Sequence, residues 1–303
     1  GNNMAELNKK IDYRFEPVYD IENDHSMNKR RKQKATKPIV SIVILAIIIL
    51  GCVFYKLIIN HDPTYLDLAN YNVAPNSEFY FGTDTVGRDI FSMIWYGGRI
   101  SLFIGFLATI ISTVIAVVYG SISAMAPEFI DEIMMRLTEI FLSIPNILII
   151  IFLQAIIGQN NVVSIAVVIG VTSWMSISKV VRTEVKRLVN EEYFMYARFM
   201  KADIFHLLIN HIGPRLVPAI MFMIVMNIRS AIVAEATLSF LGLGLPLEVI
   251  SWGSMLSLSE KALLTNSWWI IIVPGIFLIT TILCIANIGN YLRKKVNVKS
   301  SYL

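Results

Sequence analysis

The chain has 303 residues, 55% of them hydrophobic and 16% charged, with a mean hydropathy of +0.63. Its apolar residues gather in runs of about 20, long enough to cross a hydrocarbon core of about 30 Å, which excludes a soluble globular domain. The short alternating segments of a membrane barrel are missing, and the net charge of +4 sits beside the runs, where membrane topology places it without any need for nucleic acid.

The class is therefore an all-α polytopic membrane protein. Residues 1–37 are polar, acidic first (Asp20, Glu22, Asp24) and then basic (Lys29, Arg30, Arg31, Lys32, Lys34, Lys37). They read as a cytoplasmic N-terminal tail ending in a topology signal, with no secretory signal, and Gly1-Asn2-Asn3 ahead of Met4 reads as a cloning scar. Six membrane spans are expected, at about 38–59, 101–124, 137–157, 162–181, 216–238 and 268–292. Pro145 predicts a kink in the third.

Lys and Arg beside the spans set the orientation. One side carries the cluster at 29–37, Arg136, Lys179, Arg182, Lys186, Arg187, Arg198, Lys201, Arg215, Arg293, Lys294, Lys295 and Lys299; the other has little beyond Lys56, Arg88, Arg99 and Lys261. Both termini are expected in the cytoplasm, as is the stretch 191–215. Segments 60–98 and 239–267 are expected outside. Between the fourth and fifth spans, Tyr193, Ala197, Met200, Ile204 and Leu208 recur at three and four residues, one face of an amphipathic helix that ends at Gly213-Pro214.

The chemistry of catalysis is missing. No G-x-x-x-x-G-K-[ST], H-E-x-x-H or G-x-S-x-G occurs. His25, His61, His206 and His211 are scattered, His61-Asp62-Pro63 reads as a turn, and no metal site is expected. Cys52 and Cys284 fall inside spans and read as small packing residues. "GTDTVGRD" lacks the Lys-Ser/Thr of a phosphate loop and reads as a glycine-hinged turn held by Asp84, Arg88 and Asp89.

Ionisable residues inside spans are costly unless they face protein or water. Glu139, Arg229 and Glu235 are the candidates. Glu139 lies near a cytoplasmic end. Arg229 and Glu235 stand about 240° apart on a helix and are not expected to pair. Asn227 and Glu235, eight residues apart, share roughly one face.

Several stretches resemble one known family. "YFGTDTVGRDIFSMIWYGGRISL" (80–102) is similar to its FGTDxxGRDxFSRxxYGxRxSL element, and "IDEIMMRLTEIFLSIPNILI" (130–149) to DxxxMRxxDxxLSxPxLL. "AEATLSFLGLGLP" (234–246) with "SWGSML" (251–256) resembles EAxLSFLGLG…WGxML, and "PGIFLITTILCIANIGNYLR" (274–293) resembles the closing PGxxxxLxxxxxNxxGDxLR. The family is that of permease subunits of bacterial ATP-binding-cassette importers for peptides, in particular the C-type permease of dipeptide and oligopeptide systems. The resemblance runs from about Pro38 to the C terminus.

It implies a type I importer permease fold with a cytoplasmic coupling helix in the EAA-type loop 182–215. The organisation implied is a tail (1–37), a first transmembrane helix (38–59), an external loop (60–98), a core permease domain of five transmembrane helices (99–292, with the external loop 239–267) and a C-terminal tail (293–303). Glu192, Tyr193, Ala197, Arg198, Ala202 and His211 match the loop's pattern, as do Ile212 and Pro214. With Met200, Lys201, Ile204 and Leu208 these residues are expected to dock on an ATPase subunit. Met195 and Tyr196 replace the family's Glu and first Ala, Lys201 its glycine, and Asn290 its usual Asp.

The function implied is that of a non-catalytic permease in the bacterial inner membrane, importing peptides delivered by an external binding protein. Its partners would be a second permease and two ATPases, and ATP and Mg would bind those ATPases only. Asn227, Arg229 and Glu235 are expected in the pathway or between subunits, and Asp84, Arg88, Asp89 and Trp252 in the external loops. Nickel or metallophore complexes are the alternative cargo. A stand-alone secondary transporter and an intramembrane enzyme lack the internal repeats and the catalytic constellation each requires.

Overall fold

The computed structural model describes residues 37–158, 160–191, 212–246 and 248–300. The expected N-terminal tail to residue 36 and the amphipathic stretch 192–211 lie outside the described residues. Those described are helical apart from turns and an isolated antiparallel bridge, Thr83–Asp89.

The first apolar rod is α1 (Ile39–Val53) continued, after a break at Phe54, by the one-turn α2 (Tyr55–Ile58). A segment of turns follows, with a 3-10 turn at Leu68–Asn70. Next comes α3 (Ile90–Met125), whose 36 residues make a rod of about 54 Å. The expected start at Ser101 is thus eleven residues late. Asp89 caps the helix by accepting from Ser92 N at 2.9 Å. The charge that interrupts the apolar pattern, Arg99, is accommodated over the rings of Tyr55 (4.6 Å) and Tyr96 (4.0 Å). Gly98 meets neighbouring segments so closely that a Cβ there would lie 2.5 Å from Cys52 Sγ and 2.6 Å from the Trp252 ring.

The kink expected in the third span is a right-angled corner. α4 (Glu128–Ser143) and α5 (Asn146–Ile157) meet at 91°. Proline disfavours helical backbone at the residue before it, and Ile144 is extended (φ −92°, ψ 132°). α4 carries Glu128, Asp131, Glu132, Arg136 and Glu139, too many charges for hydrocarbon. Residues 137–143 therefore belong to this amphipathic helix and not to a straight span.

The fourth span is broken as well, into α6 (Val162–Thr172) and α7 (Met175–Val189), bent by 48°. The hydroxyls at the break bond back to the preceding turn: Thr172 Oγ1 donates to Val168 O (3.0 Å) and Ser173 Oγ to Ile169 O (2.6 Å). Such bonds compete with the helical ladder. α8 (Gly213–Phe240), α9 (Trp252–Leu256), α10 (Ser259–Leu264) and α11 (Trp269–Ser300) complete the chain.

Among the described residues three helices, α3, α8 and α11, are long and apolar enough to cross a membrane, and the bent pairs bring the number to five. Ile39–Val53 is apolar but shorter; with α2 it supplies a sixth segment. α3 is the centre of the bundle, packed along α6, α7 and α8, while α11 lies on α8 and α1. One core gathers Ile94, Trp252 and Ile270, a second Ile104, Ile169 and Leu238, and a third Val181, Leu216 and Ile220. α1 leaves Ile39, Val40, Ile47 and Leu50 exposed, as lipid contact requires.

Candidate functional site

The two helix breaks face the middle of α8 and line a cleft of ≈ 590 Å³. Its walls are Phe141–Asn146 at the α4–α5 corner, Thr172, Ser173 and Met175–Ile177 at the α6–α7 break, and Phe222, Met223, Met226, Asn227 and Ser230 of α8. Methionine and phenylalanine give it a deformable apolar wall. Asn227 adds a polar group and donates Nδ2 to Ser112 Oγ of α3 at 2.6 Å. Irregular backbone at membrane depth is tolerated where it lines a cavity, and both breaks do so. Nothing in this lining is arranged for catalysis; it is a place where a polar, partly apolar cargo can be surrounded.

Glu235 is not in the cleft. It is fully buried and faces the chain's own interior. Its Oε2 accepts from Ser101 Oγ of α3 (3.0 Å), and its Oε1 from Ser239 Oγ (2.9 Å) and Ser251 Oγ (2.8 Å). Each serine oxygen in turn accepts a backbone N–H: Trp252 N on Ser101 (3.2 Å), Leu245 N on Ser239 (3.3 Å) and Ser254 N on Ser251 (3.0 Å). The carboxyl group takes the hydroxyl protons and so turns three lone pairs toward three amides. Trp252, fully buried, completes the knot by donating Nε1 to Ile94 O (3.0 Å). Asn227 and Glu235 both reach serines of α3, Ser112 and Ser101, from one side of α8, but Asn227 also borders the cleft and Glu235 does not.

The turn at 82–89 is held by its own residues. Asp84 is 1% exposed, takes Arg88 Nε at 2.7 Å and also accepts from Val86 N and Arg88 N, both at 2.9 Å. Gly87 has φ +80°, and a Cβ there would fall 1.7 Å from Asp67 O. Asp89 caps α3 and lies 3.8 Å from His61 Nδ1. Trp269 of α11 donates Nε1 to Thr83 O (3.0 Å), which ties the turn to the bundle.

At the opposite end of α3 stands a cluster that the sequence reading does not single out. Asp131 of α4 is 2% exposed. It receives Arg182 Nε and Nη2, both at 2.5 Å, Ser123 Oγ at 2.5 Å and Lys186 Nζ. The Arg182 guanidinium holds its carboxyl well below the usual carboxylate range. One acid thereby joins α3, α4 and α7 just ahead of residue 192. The available signal was Arg182 and Lys186 at i and i+4, with Asp131 at the first acid of the 130–149 element. Glu139 is nearby, half-exposed, and pairs with Arg136 (3.0 Å) and Lys179 (3.5 Å).

Arg229 lies on α8 between cleft residues Met226 and Ser230, but is not part of the cleft wall. Its Nε is shielded from solvent and has no hydrogen-bond partner. Glu192, Tyr193, Ala197, Arg198, Met200, Lys201, Ala202, Ile204, Leu208 and His211 fall outside the described residues.

Residues 112–298 match the family described as "Binding-protein-dependent transport system inner membrane component". The chain belongs to this family. It is 34% identical over 260 residues to the oligopeptide transport system permease protein OppC of Bacillus subtilis (86% of this chain, 85% of that protein). It is 32% identical over 270 residues to the dipeptide transport system permease protein DppC of the same organism (89% and 84%). Among solved structures, a chain of the MetNI methionine ABC transporter, in an inward-facing conformation, is similar with a TM-score of 0.53. That likeness covers 66% of this chain and 95% of the other at 16% identity, and carries the fold alone. In this inner-membrane transport component, the cleft, the Glu235 knot and the Asp131 cluster all involve residues within the matched range or helices packed on it.

Proposed function

We propose that the chain is one of two permeases that form the pathway of an ATP-driven peptide importer. The observation that carries this is the likeness to oligopeptide and dipeptide permeases over most of both chains. The cleft suits such a cargo. A peptide offers amides and carbonyls to Asn227, Ser173 and Ser230, and varied side chains to the methionine and phenylalanine wall.

In this reading the stretch 192–211 is cytoplasmic and lays its apolar face on an ATPase subunit. Both termini are cytoplasmic, and 60–98 and 239–267 face the binding protein. ATP and Mg bind the ATPases. The Asp131 cluster then sits where movement of the docked stretch enters the bundle through α7. ATPase closure reaches the α6–α7 break as a rigid-body shift of α7, and the break, which lines the cleft, changes its width.

The test is reconstitution in liposomes with the second permease, the ATPases and the binding protein. ATP-dependent uptake of labelled di- to pentapeptides is expected, and the uptake should be lost with Met200→Asp, which puts a charge on the docking face. Uptake of nickel but of no peptide by the same vesicles, or full stimulated ATPase activity in Met200→Asp, overturns the reading.

A further inference from the structure

Arg229 has no counter-charge among the described residues. Its Nε is shielded and unbonded, and it enters no ion pair among the described residues. The nearest acid in sequence, Glu235, is occupied by three serine hydroxyls and faces the interior. Asp131 is taken by Arg182 and Lys186. A guanidinium cannot shed its proton at physiological pH, so its desolvation has to be met by a partner.

The surface beside it is unpartnered too. Val233, Thr237 and Phe240 are exposed and form one line along α8, beyond the cleft residues Met226 and Ser230. Arg229 stands roughly 50° from that line at 100° per residue, close enough to flank whatever covers it. Lipid tails covering the line would leave the guanidinium in hydrocarbon. A passing substrate is present for only part of a transport cycle, while the charge is there throughout. A permanent neighbour with an acid answers both observations.

We infer that Arg229 is an interface residue whose guanidinium takes a carboxylate from a membrane helix of the second permease, packed along the Val233–Phe240 line of α8. This rests on the reading of the chain as half of a permease pair. It adds the chemistry of that contact: one fixed cation here, and one acid at matching depth on the partner.

The test compares Arg229→Met, Arg229→Lys and Arg229→Glu, each co-expressed with an affinity-tagged second permease and the ATPases. Arg229→Met keeps an unbranched stem and removes the charge. It should cut the amount of chain recovered on the tagged partner by about tenfold or more, since it strands the partner's acid. Lys should restore most of the recovery and Glu should be worse than Met. Expressed without the partner, the Met chain should accumulate at least as well as the wild type, because the charge is unpaired there. Recovery of the Met variant at the wild-type level overturns the inference, as does an equal loss when the chain is expressed alone. If assembly is intact and uptake falls only for peptides with a free C-terminal carboxylate, not for their amides, the carboxylate is the substrate's and the interface role is overturned. Failure of even the wild-type chain to co-purify with a second permease is a distinct result, and it is the two-permease reading that then fails.

Discussion

Glu235 and Arg229 stand six residues apart on one helix, and the chain treats them in opposite ways. Around Glu235 every polar group is answered from within: three hydroxyls donate to the carboxyl group and three amides donate to those hydroxyls. The turn at 82–89 is likewise closed from within, by Asp84, Arg88 and Trp269. Around Arg229 and the cleft, two spans are broken, methionines line the wall and the guanidinium Nε is left unbonded. The first region is built as a frame with one arrangement. The second leaves a charge and an open cleft unanswered within the described residues. In the importer proposed above, the first would be a rigid end against which the second can move.

Breaking the frame should have the largest effect. Glu235→Ala leaves three buried hydroxyls without an acceptor and releases the lone pairs they turn toward Leu245, Trp252 and Ser254. Buried unsatisfied groups cost about 1–3 kcal/mol each, and some will find new partners, so a loss of about 3–5 kcal/mol is expected. The variant should be largely missing from the membrane fraction. Glu235→Gln keeps one acceptor oxygen and should be recovered in good amount with a lower thermal midpoint. Equal recovery of wild type and Glu235→Ala would show that the knot is not the frame.

Gly87→Ala tests the turn at 82–89. A Cβ at φ +80° is strained, and here it meets the Asp67 carbonyl at 1.7 Å, so neither the residue nor the backbone opposite can stay in place. The conformation alone costs roughly 1–3 kcal/mol. Thermal unfolding of the purified complex should shift down, and added binding protein should not restore it. A normal midpoint with a selective loss of binding-protein affinity would move 82–89 from the frame to a docking surface.

How much of this is legible in the sequence depends on whether the determining contact is local. The apolar runs and the gaps between them mark the six segments, because hydrocarbon acts on each segment independently. Pro145 marks a bend, yet its 91° depends on how α4 and α5 pack. The start of α3 at Ile90 is hidden, since Gly97, Gly98 and Arg99 interrupt the apolar pattern. Cys52, Tyr55, Ile250 and Trp252, distant in sequence, join Tyr96 in making those residues acceptable. The α6–α7 break is hidden for a related reason, as Thr172 and Ser173 are ordinary helix residues until their hydroxyls turn back on the ladder. For the site, spacing marks Glu235 as needing partners but cannot name three serines up to 134 residues away. Asp131 escapes notice because its cost is met by Arg182, 51 residues on.

Asp131→Asn sharpens the comparison from the other end of the bundle. The amide cannot serve both the Arg182 fork and Lys186. Those side chains are 27% and 40% exposed, so water replaces part of what is lost, and about 1–2 kcal/mol is expected. The thermal midpoint should fall modestly while stimulated ATPase activity and uptake separate, with hydrolysis retained and uptake reduced. If both fall in proportion to stability, Asp131 is only another part of the frame.

The smallest effect should come from the pair one turn further along α4. Arg136 and Glu139 approach to 3.0 Å, but are 82% and 48% exposed. Exposed i,i+3 pairs contribute about 0.3–0.5 kcal/mol, and Glu139 keeps Lys179 as a second partner when Arg136 is removed. Arg136→Ala should therefore leave the thermal midpoint, complex recovery and uptake within the error of measurement. The two acids, Asp131 and Glu139, are eight residues apart on the same helix and both are paired with cations. What separates them is burial, since Asp131 is 2% exposed and its bonds reach two other helices. A loss on Arg136→Ala as large as that on Asp131→Asn would mean that charge at this end acts on a partner outside the chain, and not through the contacts between α3, α4 and α7.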